Sequence, residues 1–299
     1  INKDIFKDNT DVCFTYDKEE LPLLLPKRSV DSHKGSYGKV LMITGSSGMA
    51  GACFLSAKAA YSAGAGLVQI YTAEENRQVI QQLLPEAVVS CYSGYDEAQL
   101  AGLLKWADVV CIGCGLGKSA TSEQILIHTL KEADVPCVID ADGLNLLSGY
   151  TELLKRSSAP LILTPHMMEM SRLTGKSVEE IKTDRMEILR AFVGEYPVVC
   201  ALKDSRTAVA QSGRQTFLNL AGNNAMAKAG SGDVLAGTIT GLLAQRMGAF
   251  EGAALGVFIH ACGGDEARKE KGAYSVLARN LTAGIENVLR GQNGGENQL

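Results

Sequence analysis

Short runs of β-branched and other apolar residues alternate along the chain with longer stretches in which apolar positions recur every three or four residues. The short runs, at 39–44, 67–71, 108–112, 137–140, 161–164 and 198–202, are apolar at nearly every position, which is the pattern of strands buried on both faces. The longer stretches, at 50–63, 74–83, 119–131, 168–174 and 178–193, have helical length and period. Alternation of this kind predicts a mostly parallel sheet with helices on both faces. After residue 202 the pattern changes. Segments 207–210 and 215–218 flank Gln211-Ser212-Gly213-Arg214 and predict an antiparallel hairpin, and helical stretches at 231–246, 250–270 and 276–289 close the chain. The expected architecture is an open three-layer α/β/α fold with a mostly parallel central sheet and an antiparallel edge hairpin. Ligands of such sheets sit beyond the carboxyl ends of the strands.

The first residues do not fit this alternation. Leu21-Pro22-Leu23-Leu24-Leu25-Pro26 is broken by proline, so 1–31 reads as a lead-in or linker and 32–299 as a single domain. With 299 residues, 46% hydrophobic and 21% charged, the chain can bury a large core, which excludes a disordered chain or a small disulfide scaffold. Lys and Arg number 29 against 33 Asp and Glu, a net charge of -4. Nothing in that balance favours nucleic acid or an anionic membrane, and a small-molecule ligand is expected. No apolar run reaches the roughly 18 residues of a spanning helix. The eight cysteines are scattered, several within apolar runs, which suits a reducing, cytoplasmic compartment.

Candidate chemistry gathers at the ends of the expected strands and at one helix start. Ala229-Gly230-Ser231-Gly232-Asp233 enters a helix whose Leu235, Ile239 and Leu242 keep i, i+4, i+7 spacing. Unpaired amides at a helix start carry partial positive charge, and a Gly-Ser-Gly turn lets phosphate oxygens approach closely. Asp233 beside that pocket suits accepting a hydroxyl proton as the oxygen attacks a terminal phosphate; a capping turn with a dipole-complementing acid explains the same residues. The loop from Gly45 to Ala52 has G-x-x-G-x-x-G spacing and no acid closing the next strand, unlike a dinucleotide fingerprint. Gly113 to Ser119 misses a phosphate-binding P-loop by one residue, because Ile112 stands where the first glycine is needed. The first loop reads as lining a ligand site, and the second either as a glycine-lined ligand wall or as strand-end packing. Cys111 and Cys114 form a single C-x-x-C with no second pair and no nearby His, which argues against zinc or redox chemistry.

Three further groups end strands. In Thr164-Pro165-His166 with Glu169, His166 either faces the ligand edge or is a surface residue, and Glu169, in a first helical turn, either holds a metal-bound water near phosphates or caps the helix. Lys203, heading Asp204-Ser205-Arg206-Thr207, suits neutralising nucleotide phosphates beneath the hairpin, or is a solvated turn. Asp140 and Asp142 either help order Mg²⁺ or substrate or make local turn bonds. His128 and His260 fall within helical patterns and read as structural.

Taken in order, His33 to Lys39, Gly45 to Ala52, Gly113 to Gly117, Asp140 to Asn145, Thr164-Pro165-His166 with Glu169, and Asn223 to Gly237 resemble the NAD(P)H-hydrate dehydratases, the carboxyl-terminal family of nicotinamide-nucleotide repair enzymes within the ribokinase-like superfamily. The resemblance implies dehydration of (6S)-hydrated NADH or NADPH to NADH or NADPH at the expense of ATP or ADP with Mg²⁺, through phosphorylation of the 6-hydroxyl and loss of phosphate. It assigns Asp233 as the base, with Gly230, Ser231 and Gly232 as the anion hole. The hydrated nicotinamide would meet Ala52, Gly115, His166 and Asp233, and the nucleotide Lys203, Asp204, Ser205, Arg206, Thr207 and Gly232. It further implies a homo-oligomer, with a tetramer as one form, and an epimerase of the hydrated cofactor as a fused or separate partner; the lead-in and the start at Ile1 suit the back half of such a fusion. Where the family usually has glycine, this chain has Ala225 and Ala229, and a Lys-Gly pair has become Lys203-Asp204. A Cβ at either alanine opposes a positive φ, and Asp204 adds negative charge where a nucleotide is expected. Two other readings share these residues: a ribokinase-like kinase for a small alcohol such as a vitamin precursor, and a nucleotide-binding protein impaired in turnover.

Overall fold

The computed structural model describes residues 12–290 and 292. Its strands are β1 (Cys13–Phe14), β2 (Lys39–Ile43), β3 (Leu67–Ala73), β4 (Val88–Tyr92), β5 (Val109–Ile112), β6 (Cys137–Ile139), β7 (Leu161–Leu163), β8 (Val198–Leu202), β9 (Ala208–Ala210) and β10 (Thr216–Leu218). They form one sheet in the order β1-β10-β9-β8-β7-β6-β5-β2-β3-β4. From β8 through β4 every pairing is parallel, whereas β8–β9 and β9–β10 are antiparallel. The expected hairpin is therefore present.

Alternation along the strands builds two cores. Val40 and Met42 face one side, with the helices Ala50–Ser62, Ser231–Ala244, Ala249–Ser275 and Ala278–Arg290, while Leu41 and Ile43 face the other, with Glu97–Trp106, Ala120–Glu132 and Arg185–Glu195. All four of these strand residues are fully buried, and each such side chain contributes roughly 1.5–3 kcal/mol. Small residues bring two helices of the first layer together: a Cβ on Gly237 would fall 2.0 Å from the Ser56 carbonyl oxygen, and one on Gly241 2.4 Å from that of Ala60. The helix that begins at Ser231 is thereby seated firmly against Ala50–Ser62.

Register carries the fold to its site. Ile43 pairs with Ile112, Ile112 with Ile139, Ile139 with Leu163 and Leu163 with Cys200, so the loops after five strands leave from one edge.

Several expectations are amended. Residues 13–25, read as part of a lead-in, pack on the sheet: β1 pairs with β10, the Phe14 ring lies 5.6 Å from that of Phe217, and Leu21 is 1% exposed. Leu21–Leu24 is a short helix that tolerates Pro22 because the proline lies in its first turn. Residues 1–11 lie outside the described residues. The stretch 178–193 is two helices, Val178–Thr183 and Arg185–Glu195, parted at Asp184 (φ -116°, ψ 37°). β4 lies at the sheet edge with exposed and half-buried residues, so it lacks the fully apolar run of the central strands. Among the described residues no helix is long and apolar enough to cross a membrane.

Candidate active site

The wall expected for the nicotinamide is assembled by backbone. Gly45 N–H donates to the Cys114 carbonyl (2.9 Å), and both the N–H and the hydroxyl of Ser46 donate to that of Gly115 (2.6 and 2.9 Å). These bonds stitch the loop after β2 to the loop after β5. Gly115 has φ 61°, and a Cβ there would lie 2.8 Å from Ala52 Cβ and 3.0 Å from Met49 Cβ, so Ala52 and Gly115 form one surface. Gly113, with φ 121°, leaves room for the Asp140 carbonyl, which a Cβ would meet at 2.0 Å.

The next two strands deliver a charged group. Asp140, 1% exposed, accepts from the Thr164 hydroxyl at 2.8 Å and from Lys203 Nζ at 2.5 Å, both on Oδ1. Lys203 Nζ also lies 3.9 Å from Glu169 Oε2. Burial opposes the lysine's charge, yet Asp140 and Glu169 hold its pKa above the ordinary value. Glu169 is 4% exposed, and burial pushes it up to about 7. His166 is the N-cap of Met167–Thr174: its Nδ1 accepts from the amides of Met168 and Glu169, while its own amide donates to Glu169 Oε2 at 2.8 Å. That reciprocal cap takes up Glu169 Oε2, and His166 Nε2 lies 3.3 Å from Oε1. The capping alternative describes Glu169 better than the water-bridged metal role, because the carboxylate is buried and spoken for.

Asp233 completes the cluster from the first turn of Ser231–Ala244. Gly230 supplies φ 88° before the helix, a conformation open to glycine at little cost. The Ser231 amide is taken by the Lys228 carbonyl at 3.2 Å; by helix geometry the amides of Gly232 and Asp233 have no intrahelical acceptor and face the approach to the turn. The open amides of this turn are thus those of the second and third helical residues, with Gly230 shaping the turn. Burial and the Asp140 carboxylate raise the Asp233 pKa to about 6, with Cys114 and Lys203 opposing. A ligating atom from each of Cys114, Asp140 and Asp233 lies within 4.8 Å of the others. The thiol is a soft donor, held protonated by the Cys111 thiol and burial, and Asp140 Oδ1 already takes two donors. Such a set does not make an oxygen cage for Mg²⁺, which would instead arrive on nucleotide phosphates.

On the far side of Lys203 lies a cleft of about 630 Å³. Every residue expected to meet the nucleotide lines it: Lys203, Asp204, Ser205, Arg206, Thr207 and Gly232. The departures of the sequence are accommodated. Among the described residues only Ala141 and Arg246 are non-glycines with positive φ, so neither Ala225 nor Ala229 is strained, and the Asp204 carboxylate is paired with Arg185 at 3.0 Å. His260, read as structural, also lines the cleft, with Nε2 3.4 Å from the Ser231 hydroxyl; burial lowers its pKa to about 4 and keeps it neutral. Asp265 ties down the cleft's other lip through the Gly222 amide (3.2 Å) and Asn223 Nδ2 (2.8 Å). His260 and Asp265 both belong to the long helix Ala249–Ser275, which packs on this turn from a distant part of the sequence.

The family model described as NAD(P)H-hydrate dehydratase matches residues 40–287. The chain belongs to that family. It is 39% identical over 274 residues to a bifunctional NAD(P)H-hydrate repair enzyme of Moorella thermoacetica, covering 89% of this chain and 52% of the relative; it thus spans about half the length of that protein. An ADP-dependent (S)-NAD(P)H-hydrate dehydratase of Neisseria meningitidis is 38% identical, covering 88% of this chain and 87% of its own. Among solved structures, the ADP/ATP-dependent NAD(P)H-hydrate dehydratase of Bacillus subtilis, crystallised with ATP and Mg²⁺, superposes with a TM-score of 0.83 at 31% identity over 94% of this chain and 99% of that one. The architecture is the ribokinase-like one.

Proposed function

We propose that this chain uses ATP or ADP to dehydrate (6S)-hydrated NADH or NADPH, restoring NADH or NADPH. The observation that carries the reading is Asp233, a half-buried carboxylate within 4.8 Å of Asp140 and the Cys114 thiol and next in sequence to Gly232 of the cleft, at a helix start whose amides are open to phosphate. Asp233 accepts the proton of the 6-hydroxyl as that oxygen attacks the terminal phosphoryl group, and the bond to the departing nucleoside diphosphate or monophosphate breaks. Lys203 and the amides of Gly232 and Asp233 balance the charge that gathers on the transferring group. Mg²⁺, when bound on the nucleotide, neutralises its phosphates. The ring nitrogen then donates its lone pair, the carbon–oxygen bond breaks, inorganic phosphate leaves, and loss of a proton from the adjacent ring carbon restores the dihydronicotinamide. Hydroxide is a poor leaving group and phosphate a good one. The protein's part is chiefly position and charge.

Ala52, Gly115 and His166 face the hydrated ring in this reading, and Lys203 to Thr207 with Gly232 hold the nucleotide. The unstrained alanines and the Arg185–Asp204 pair remove the features that favoured an impaired binder. The chain works in a cytoplasmic, reducing setting as a homo-oligomer such as a tetramer, beside an epimerase of the hydrated cofactor that is fused or separate. Incubating hydrated NADH with the chain, Mg²⁺ and either nucleotide tests the reading: reduced-nicotinamide absorbance and inorganic phosphate rise together. Accumulation of a stable phosphate ester without recovery of absorbance would show a kinase instead.

A further inference from the structure

Asp140 is held more tightly than a substrate-ordering acid requires. Its amide donates to the Ile112 carbonyl at 3.1 Å, its carbonyl accepts from Gly143 at 2.9 Å, and that carbonyl packs where Gly113 has no side chain. The next residue, Ala141, adopts φ 49° and ψ -116°, a conformation that favours glycine and persists only where the surroundings enforce it. Thr164 fixes Oδ1 as well. Lys203, by contrast, lies on a flexible stem with its side chain 17% exposed, and it lines the nucleotide cleft.

We infer that Asp140 is a positioning residue: its immobile carboxylate holds the Lys203 ammonium at the boundary between the nucleotide cleft and Asp233 and yields it to an incoming phosphate, so that arrival of the nucleotide leaves Asp140 and Asp233 facing each other without their shared cation. The inference rests on the reading of the 630 Å³ cleft as the nucleotide site. A second carboxylate in the same poorly solvated place makes Asp233 harder to ionise. Asp140 already raises the proton affinity of Asp233, and Lys203 already lowers it; moving Lys203 toward phosphate strengthens the first effect and weakens the second. Asp233 therefore becomes the stronger base when the phosphoryl donor is in place. The other titratable groups around it are Cys53 on Ala50–Ser62, Cys114 after β5 and Asp142 after β6, with Glu169 and His166 acting through Lys203 and His260 through Ser231.

The test is calorimetric titration of the full chain with ADP and Mg²⁺ near pH 6.5, in buffers of different ionisation enthalpy, which counts protons taken up on binding. Wild type takes up more protons per ADP than Asp140→Asn, because the variant lacks one of the two carboxylates. In turnover, Asp140→Asn moves the acidic limb of the kcat profile down by about 1 pH unit, while the KM for nucleotide changes less than the kcat. Thr164→Val, which keeps both charges and frees Oδ1, gives a smaller shift in the same direction and carries the test if Asp140→Asn does not fold. Equal proton uptake and an unmoved acidic limb in both variants would overturn the inference, leaving Asp140 a structural residue. ADP that produces no binding heat with the wild type would overturn the nucleotide-cleft reading, and this inference with it. ADP that binds with the expected proton uptake, but without dehydration, would leave this inference standing and remove only the assigned reaction.

Discussion

The two ends of the parallel strands use the same residue types for opposite purposes. At the amino end, Gly38 has φ 77° and would place a Cβ 2.1 Å from the Ala244 carbonyl oxygen, while a Cβ on Gly66 would fall 1.8 Å from that of Lys34. There glycine lets backbone touch backbone, and the turn from His33 to Lys39, one of the stretches that carry the family resemblance, seals the end of the sheet. At the carboxyl end, a Cβ on Gly232 would meet Lys203 Nζ at 3.4 Å and Asp140 Oδ2 at 3.5 Å, ordinary contact distances. Here glycine keeps room for something the protein does not supply. Groups of displaced proton affinity, Asp233 at about 6, Glu169 at about 7 and His260 at about 4, gather at this end. Two stretches that weigh equally in a family resemblance can thus differ entirely in role, one closing the fold and the other, in the proposed function, binding.

Substitutions at the two ends sharpen the contrast. The largest effect is expected from Asp233→Asn, which should lower kcat by about 1,000-fold without weakening ADP binding. In the wild type, the acidic limb of kcat/KM should fall near pH 6, where Asp233 takes up its proton. The same group also links stability to pH. Its folded pKa is raised from 3.8 to about 6, so the stability it contributes is full below 3.8 and is lost as pH rises through about 6. Asp233→Asn should consequently raise Tm more at pH 7.5 than at pH 4.5, which a thermal melt at each pH reads directly.

Next comes Gly66→Ala at the amino end. Its Cβ cannot be accommodated without moving backbone, and a loss on the order of 3 kcal/mol is expected in urea unfolding, with activity per folded molecule retained. Gly232→Ala should do the reverse: unfolding stays within about 1 kcal/mol of wild type, and the Kd for ADP rises about 10- to 100-fold as the phosphate is displaced. Equal stability losses at Gly66 and Gly232 would break the comparison. The smallest effect is expected from Ala141→Gly, which relieves the positive φ and should stabilise by up to about 1 kcal/mol, offset in part by the greater freedom of glycine in the unfolded chain.

Most of the sheet was legible because its central strands are apolar on both faces and its helices repeat every three to four residues. β4 and Glu97–Trp106 escaped because an edge strand with one wet face does not stand out as an apolar run. Cys13–Phe14 escaped because a two-residue strand gains its place only from Phe217 and the β10 ladder, which are distant in sequence. At the site, the Gly230–Asp233 turn and Lys203 were visible as strand-end and helix-start chemistry. The tie between Lys203 and Asp140, 63 residues apart, was not, since side chains converge there only through the register of β6, β7 and β8. His260, read as structural, is buried in its helix and also borders the cleft; helical spacing reports the burial but not the cleft.

The most direct test of the central claim is the fate of the 6-hydroxyl oxygen. Hydrated NADH carrying ¹⁸O at that hydroxyl is incubated with the chain, Mg²⁺ and unlabelled ATP or ADP, and the released phosphate is analysed by mass spectrometry. If Asp233 activates the hydroxyl for phosphorylation, the label appears in inorganic phosphate, one atom for each NADH restored. Recovery of NADH with the label in water and unlabelled phosphate would contradict the account, because the hydroxyl would then have left without being phosphorylated.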